Sequence, residues 1–435
     1  MIQVIELAEY QAKCVPAPGP TPGDTDLAAE LGAGGDVEAR LDVRWLANGK
    51  IDVRASSWVG VVRFSAVEIR VLPKLVGGEL KVLQMIEYTD RIDLLKRLPP
   101  EQRLAPTGDD LFELIVRLLT AETKQLLRDG LIRDYRPTEE TLPMMRGRLR
   151  VRDQFLRRYG SLHQLDCAFD EYDGDIPENQ FLGAALGAAS NRVRNSKIKA
   201  DARALHGVLS GICEPRSFDA TWYTGRIHYD RRNSRYRSAH QLAQLILKGL
   251  ALNDVHSGSD RGINAFMLNM NSIFEQFVAA IITNALAGTS LQVSTQVPLK
   301  AVVVNEATNR TYSTIRPDMV ITDPLTGHRV PVDVKYKLYE SVKLAPGDVY
   351  QLFTYAYALG STADHRRAGL IYAADSNASG PNLSITPMSN VTSAQIRTAG
   401  LNVAAVLDDL AGGSVEDVHA RMRNMVHDLS GLTFN

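Results

Sequence analysis

The chain has 435 residues, of which 45% are hydrophobic and 23% charged, the composition of a soluble globular protein with two or three domains. Its 49 lysines and arginines nearly balance 50 aspartates and glutamates, so the formal net charge is −1. This balance excludes a generally basic nucleic-acid-binding protein, and any contact with nucleic acid must use local patches.

Three cysteines lie far apart in the sequence, at Cys14, Cys167 and Cys213. This number excludes a disulfide framework and a cysteine-rich zinc site, and it suits the reducing environment of the cytoplasm. The N-terminus carries acidic residues early and no long apolar run, which does not fit a signal peptide. Because no apolar stretch is long enough to span a bilayer, we expect a cytoplasmic protein without a membrane partner.

Residues 1–75 are expected to form a small β-rich domain. Strand-like patterns cover residues 2–9 and about 41–73, and an Asn-Gly pair at 48–49 between two alternating segments predicts a hairpin turn. Between these patterns, residues 15–39 are rich in Pro, Gly, Ala and Asp, which predicts a flexible insertion or a long loop.

The rest of the chain is expected to form a mainly helical middle region at 76–258 and an α/β domain at 259–435. In the middle region, apolar residues recur at helical spacing from 78 to 135, at 176–211 and at 238–253. The last segment alternates a helix (MNSIFEQFVAAIITNAL), strands at 291–297, 299–304, 312–321 and 329–337, a helix at about 346–358, the strand GLIYAA and a helix at 415–429. The predicted fold class is therefore multidomain α+β.

The segment IRPDMVITDPLTGHRVPVDVKYK, residues 315–337, groups two acids and a lysine on a predicted hairpin. Asp318 opens the first strand, DPLTG forms the turn, and Asp333 and Lys335 lie on the returning strand. These two residues are two positions apart and project from the same face. The start of the first strand meets the end of the second in an antiparallel pair, so Asp318 is expected to lie beside them.

Two neighbouring carboxylates make an oxygen-rich site for a hard divalent ion such as Mg²⁺, with Mn²⁺ as an alternative. The backbone carbonyl of Val334 could add another oxygen ligand. Mg²⁺ would bind a phosphate oxygen, lower the pKa of a bound water and stabilise the charge that develops on phosphorus. Lys335 would orient the attacking water or stabilise that negative charge.

Two further elements fit such a site. Glu275, on the helix before the strands, could supply a third carboxylate, and Gln351 and Tyr355 share one face of the helix after the second strand. Each feature alone has a simpler interpretation, because Asp-x-Lys triplets are common by chance and a helical glutamate is usually solvated. The combination and its order favour a nuclease site of the PD-(D/E)xK type.

At this point the chain resembles a known family, the McrC nuclease subunits of McrBC-type modification-dependent (type IV) restriction systems. The resemblance covers most of the chain and is most specific in the last third. The similar segments are GVVRFSAVEIRVLPKL, MMRGRLRVRDQF, DIPENQFLGAAL, DRRNSRYRSAHQLAQLIL, MNMNSIFEQFV, TIRPDMVI, VPVDVKYKLY and DVYQLFTYAYA.

The resemblance implies an endonuclease subunit with a restriction-endonuclease-like domain that acts in defence against foreign DNA. It implies a partner, a McrB-like AAA+ GTPase hexamer docked by the N-terminal part, so that GTP is used only through the partner. It implies double-stranded DNA with modified cytosine as the substrate, and pairing of complexes for double-strand cleavage. Asp318, Asp333 and Lys335 match the family's catalytic residues directly, whereas Glu275 and Gln351 match loosely.

Two departures from the family pattern are Val334, where alanine is common, and the unmatched segment 15–39. Two alternatives stay open: a subunit that stimulates an AAA+ motor without cutting, and a stand-alone PD-(D/E)xK repair nuclease. The chain has no G-x-x-x-x-G-K-[ST] loop, so a motor must be another chain.

Overall fold

The computed structural model describes residues 2–32, 39–73, 75–92, 111–161, 163–250, 264–337, 339, 343–362, 365–376, 380–386 and 393–433. Two units make up the chain, one of Met1–Leu95 with Met267–Asn435 and the other of Lys96–Phe266. The protein is therefore multidomain, with mixed α and β structure. The first and last segments, which the sequence predicts as separate domains, lie in one unit. The predicted boundary at 258 lies outside the described residues, as does the end of the helix expected at 238–253.

The N-terminal part of the first unit is built from β1 (Gln3–Ala8), β2 (Ala12–Pro16), α1 (Pro22–Gly32), β3 (Leu41–Leu46), β4 (Lys50–Ala55), β5 (Trp58–Arg63), β6 (Val67–Leu72) and α2 (Glu79–Asp90). One sheet has the strand order β2-β4-β3, and a second begins β1-β6-β5. The fourth strand of the second sheet is Asn264–Asn269, where the chain re-enters the first unit. This shared sheet ties the first segment to the last, which explains why they form one unit.

The hairpin expected at 48–49 is confirmed. Strands β3 and β4 pair antiparallel, with Leu46 opposite Lys50 at the turn. Gly49 has a φ of 72°, a left-handed conformation that glycine adopts with little strain.

The expectation of a flexible or loop-like segment at 15–39 is wrong for residues 15–16, which end β2, and for residues 22–32, which form α1, whereas 33–38 lie outside the described residues. Leu27, Ala28 and Leu31 recur at helical spacing and are buried where α1 packs against β3. Asp24 fixes the start of the helix, because its carboxylate accepts a hydrogen bond of 2.8 Å from the backbone N–H of Ser65.

The second unit contains α3 (Leu111–Arg128), β7 (Asp134–Leu142), β8 (Arg148–Leu149), α4 (Val151–Arg157), β9 (Leu165–Asp173), α5 (Pro177–Ser190), α6 (Ser196–Ser210), α7 (Ala220–Thr224) and α8 (Arg237–Leu250). Helices α3, α5, α6 and α8 pack against one another, and β7-β9-β8 form an antiparallel sheet. Within the described residues, no helix combines the length and the apolar composition needed to cross a bilayer.

The C-terminal part of the first unit contains β10 (Asn264–Asn269), α9 (Met270–Ala285), β11 (Gln292–Thr295), β12 (Leu299–Asn305), β13 (Arg310–Ile315), β14 (Met319–Thr322), β15 (Arg329–Lys335), α10 (Pro346–Leu359), β16 (Arg367–Ala373), β17 (Leu383–Ile385), β18 (Ala394–Leu401), α11 (Val403–Ala411) and α12 (Val415–Ser430). A six-stranded mixed sheet has the order β11-β14-β15-β16-β18-β17. Strands β14 and β15 pair antiparallel, and β16 is parallel to both β15 and β18.

The single strand expected at 312–321 is wrong. It is divided into β13, which pairs with β12 in a separate ribbon, and β14, which joins the six-stranded sheet. The break falls at Pro317, which has no backbone N–H to contribute to a ladder. The strand GLIYAA and the helix at 415–429 are confirmed as β16 and α12.

Helices cover both faces of the six-stranded sheet. On one face, Leu352 and Ala356 of α10 pack in a core with Leu370 of β16 and Ile396 of β18. On the other face, α12 and α9 lie against the sheet. This arrangement buries the central strands on both faces, in agreement with the continuous apolar runs of β15 and β16.

Candidate active site

The hairpin of β14 and β15 brings the predicted acids and the lysine together. Asp318 lies one residue before β14, and its Oδ2 accepts a hydrogen bond of 2.7 Å from the backbone N–H of Val334. This contact places the carboxylate of Asp318 between Asp333 and Lys335 along the neighbouring strand. The expectation that Asp318 lies beside the end of β15 is therefore confirmed.

Asp333 and Lys335 point to the same face of β15, as their spacing predicts. Nζ of Lys335 lies 3.0 Å from Oδ2 of Asp333. The side chain of Asp333 is only 2% exposed and that of Lys335 is 24% exposed. The pair therefore sits at the edge of the core, with the lysine reaching toward solvent.

Glu275 joins this group from α9 through a residue that the sequence analysis missed. The side-chain amide of Gln296, which follows β11, donates to Oε1 of Glu275 and, at 3.4 Å, to Oδ1 of Asp318. Gln296 has a φ of 52°, an uncommon conformation for a residue other than glycine. No local motif marks Gln296, because β-pairing of β11 with β14 is what brings it to the site.

Gln351 and Tyr355 reach the site from α10. Nε2 of Gln351 donates to the hydroxyl of Tyr355 at 2.8 Å and lies 3.5 Å from Oδ1 of Asp333, a long contact. The hydroxyl of Tyr355 donates to the carbonyl oxygen of Arg316 at 3.2 Å. The predicted shared helix face therefore connects Asp333 to the chain segment that precedes Asp318.

Burial and mutual repulsion raise the pKa of all three carboxyl groups. Burial raises the pKa of Asp333 to about 7, and Asp318 adds to this effect while Lys335 opposes it. Burial, followed by the charge of Glu275, raises the pKa of Asp318. Burial, with a contribution from Asp333, also raises the pKa of Glu275. Burial would lower the pKa of Lys335, but the nearby carboxylates of Asp333 and Asp318 hold it above its ordinary value.

The donor set fits a divalent cation. Oδ2 of Asp333 is buried and accepts no hydrogen bond of normal geometry from the described residues, although Nζ of Lys335 is near. Among those residues, no group of three or more acidic, histidine or cysteine side chains is arranged closely enough to hold a metal ion, so binding would require the acidic side chains to adjust. Burial is the main cause of the raised pKa values, and a hard cation bound to the carboxylates would offset it. The contribution of the Val334 carbonyl stays a prediction.

The end of β15 is also held by the N-terminal segment, a feature that the sequence analysis missed. The hydroxyl of Tyr336 donates to Oε1 of Glu9 at 2.7 Å, and the hydroxyl of Tyr10 donates to the carbonyl oxygen of Tyr336. Glu9 is 4% exposed and Tyr336 is 1% exposed. The residue directly after Lys335 is therefore fixed by side chains more than 300 positions earlier in the sequence.

Comparisons with known proteins give the family. A family model described as "McrBC 5-methylcytosine restriction system component" matches residues 53–373. No curated protein matches the chain. Among solved structures, a chain of the refined half-complex from the tetradecameric assembly of Thermococcus gammatolerans McrB AAA+ hexamers with bound McrC is 17% identical, with a TM-score of 0.59. The match covers 98% of this chain and 100% of that chain, and at this identity it shows the fold alone.

A second solved structure, the cryo-EM structure of the Thermococcus gammatolerans McrBC complex, is 18% identical over 65% of this chain and 88% of that chain, with a TM-score of 0.44. The family model spans well over half of the sequence, in agreement with the resemblance found from the motifs. The chain therefore belongs to the McrBC 5-methylcytosine restriction system component family.

Proposed function

We propose that the chain is the Mg²⁺-dependent endonuclease subunit of a McrBC-type restriction complex, with a PD-(D/E)xK nuclease site. The observation that carries the proposal is the convergence of Asp318, Asp333 and Lys335 at one end of the β14–β15 hairpin. Family membership alone would fit a subunit without cleavage activity, whereas this convergence supports cleavage because it keeps together the residues that we expect to hydrolyse the phosphodiester.

Carboxylates of Asp318, Asp333 and Glu275 would hold the cation, with Mn²⁺ as an alternative to Mg²⁺. When bound, the cation would supply positive charge to the phosphate and lower the pKa of a water molecule. The N–H of Val334 fixes one oxygen of Asp318, which leaves Oδ1 directed toward Gln296 and the site. Gln351 restrains Asp333 from the α10 side.

Lys335 acts as a proton donor in hydrogen bonds and as a positive charge. The carboxylates of Asp333 and Asp318 raise its pKa, which favours the protonated ammonium group. The ammonium would orient the attacking water and stabilise the negative charge that grows on the phosphate oxygens. The ion pair with Asp333 holds Nζ in place before substrate arrives.

The partner in this proposal is a McrB-like AAA+ GTPase hexamer. Support comes from the structural neighbour in which McrB AAA+ hexamers carry bound McrC, and from the lack of a phosphate-binding G-x-x-x-x-G-K-[ST] loop in this chain. The partner would hydrolyse GTP and deliver double-stranded DNA with modified cytosine. Pairing of two complexes would bring one nuclease site to each DNA strand.

The test is a cleavage assay with the AAA+ partner, GTP and Mg²⁺ on methylated and unmethylated DNA. We expect cleavage of methylated DNA, loss of cleavage in Asp333→Ala, and a decrease on the order of 100- to 1000-fold in Lys335→Ala. GTP hydrolysis by the partner should persist in both variants. The matched control is Glu306→Ala, since Glu306 is an exposed acid at the β12–β13 turn.

Cleavage by Asp333→Ala at the rate of the unchanged protein would show that the nuclease site lies elsewhere. Stimulation of GTP hydrolysis without any cleavage by the unchanged protein would favour a subunit that only activates the motor. Cleavage without the partner and GTP would favour a stand-alone nuclease.

A further inference from the structure

A cleft in the first unit lies between β16, β18 and α12, away from the carboxylate site. Its volume is about 670 Å³, within the range of pockets that hold small organic ligands. Four ionised side chains line the cleft: Arg367, Arg397, Arg421 and Asp428. Positive charge therefore exceeds negative charge at its wall.

The cleft lies on the face of the six-stranded sheet opposite to Asp333. A Cβ built on Gly369 would lie 3.4 Å from Cβ of Leu429 in α12, so Gly369 faces α12. Arg367 is two residues away on the same strand and shares this face. Arg397 pairs with Gly369 in the parallel ladder and also faces α12. Since Asp333 contacts α10 on the other face, the two sites are separated by the sheet.

Two arginines in the cleft share one neutral acceptor. Nη2 of Arg367 and Nη2 of Arg397 donate to Oε1 of Gln395 at 3.1 and 3.3 Å, and Nη1 of Arg367 donates to the carbonyl oxygen of Ser430 at 3.0 Å. Within the described part of the chain, neither guanidinium forms an ion pair with a carboxylate. Nε of Arg367 is buried and has no hydrogen-bond partner among those residues.

Two guanidinium groups that share one neutral acceptor repel each other, and an anion bound between them would offset this repulsion. Burial, together with the charge of Arg397, lowers the pKa of Arg367. Arg421 is paired with Asp409, yet its Nε is also buried without a partner among the described residues. The negative charge of Asp428 opposes anion binding, but the three arginines outnumber it and the wall of the cleft keeps a net positive charge.

We propose that this cleft binds a small phosphate-bearing ligand through Arg367 and Arg397. Planar guanidinium groups present paired N–H donors that match the oxygens of a phosphate group. The free volume beyond the two guanidiniums accommodates more than the phosphate, which suits a mononucleotide or a compound of similar size. The proposal concerns binding only, and it does not depend on whether the carboxylate site cleaves DNA.

Isothermal titration of the full chain with inorganic phosphate, with guanosine monophosphate and with guanosine tests the proposal. We expect phosphate to bind with a Kd of about 1 mM or tighter, and guanosine not to bind. Tighter binding of the nucleotide than of phosphate would identify a nucleotide as the ligand, whereas equal binding would identify free phosphate. Absence of binding by both phosphate compounds would overturn the proposal.

Variants of Arg397 test whether the phosphate binds in this cleft. Arg397→Gln should weaken phosphate binding on the order of tenfold to a hundredfold, because a charge-assisted hydrogen bond is lost. Arg397→Lys keeps the positive charge but loses the paired N–H donors of the guanidinium, so it should bind phosphate with intermediate affinity. This second variant keeps the test valid if Arg397→Gln does not fold. The matched control is Arg310→Gln, which removes an exposed arginine from β13. Unchanged affinity in both Arg397 variants would show that the cleft is not the binding site.

Discussion

Replacing Asp333 with asparagine should stabilise the protein in the absence of a divalent cation while abolishing cleavage. The side chain of Asp333 is 2% exposed, and burial raises the pKa of its carboxyl group from 3.8 to about 7. The asparagine side chain would keep an oxygen for the contact with Gln351 but carry no charge into the core. Asparagine at position 333 is therefore expected to increase stability, whereas aspartate is expected to be necessary for cleavage.

The pH range of the effect follows from the raised pKa of Asp333. Below about pH 4 the carboxyl group is protonated in both folded and unfolded chains, so its ionisation has no effect on stability. Between about pH 4 and 7 the unfolded chain loses the proton more readily, and the free energy of unfolding falls. At about 1.4 kcal/mol for each pH unit, the loss approaches an upper limit of about 4 kcal/mol and is constant above pH 7.

Urea unfolding of the unchanged protein and of Asp333→Asn, in a chelator and at pH 5 and 8, measures this difference. We expect the advantage of the variant to be larger at pH 8 than at pH 5 by about 1–3 kcal/mol, and Mg²⁺ to stabilise only the unchanged protein. Glu306→Gln, at an exposed position, controls for removal of an acid. An equal difference between the two proteins at pH 5 and pH 8 would refute the reasoning.

Three further predictions concern other residues. Gln296→Ala, which removes the amide between Glu275 and Asp318, should lower Mg²⁺ affinity or cleavage on the order of 10- to 100-fold; a cleavage titration with Mg²⁺ that matches the unchanged protein would contradict this. Tyr336→Phe should lower the free energy of unfolding by about 2 kcal/mol, because it removes the hydrogen bond to Glu9, and urea unfolding that shows no loss would disprove it. His240 is buried and its pKa is lowered to about 4, so its contribution to stability is present above about pH 6.5 and is lost as pH falls toward 4, by about 3 kcal/mol at most. Thermal unfolding should show this loss in the unchanged protein but not in His240→Gln, and equal pH dependence of the two would rule it out.

Local rules were sufficient for the centre of the candidate site. Alternation along a strand placed Asp333 and Lys335 on one face, and the antiparallel turn between them and Asp318 brought the first acid alongside. These rules depend only on residues close in sequence, so the positions of Asp318, Asp333 and Lys335 could be predicted from the sequence. The helical spacing of Gln351 and Tyr355 was equally local.

Residues that reach the site through distant pairing could not be predicted in this way. Gln296 lies 21 positions after Glu275 and is positioned by the pairing of β11 with β14. Helix α1 had a local signal in Leu27, Ala28 and Leu31, but the surrounding prolines and glycines pointed to a loop. The first and last segments share a sheet through the strand Asn264–Asn269, which pairs with β5 although the two strands are about 200 residues apart in sequence.

The contacts of Tyr336 give this union a consequence for the site. Its hydroxyl and its carbonyl are both engaged by the turn between β1 and β2, through Glu9 and Tyr10. Tyr10 has a φ of 58°, so the turn holds a conformation that is uncommon for a residue with a side chain. Any force that displaces this turn must change the hydrogen bonds of the residue that follows Lys335. The N-terminal turn is therefore joined by two direct hydrogen bonds to the residue that follows β15, the strand that carries Asp333 and Lys335.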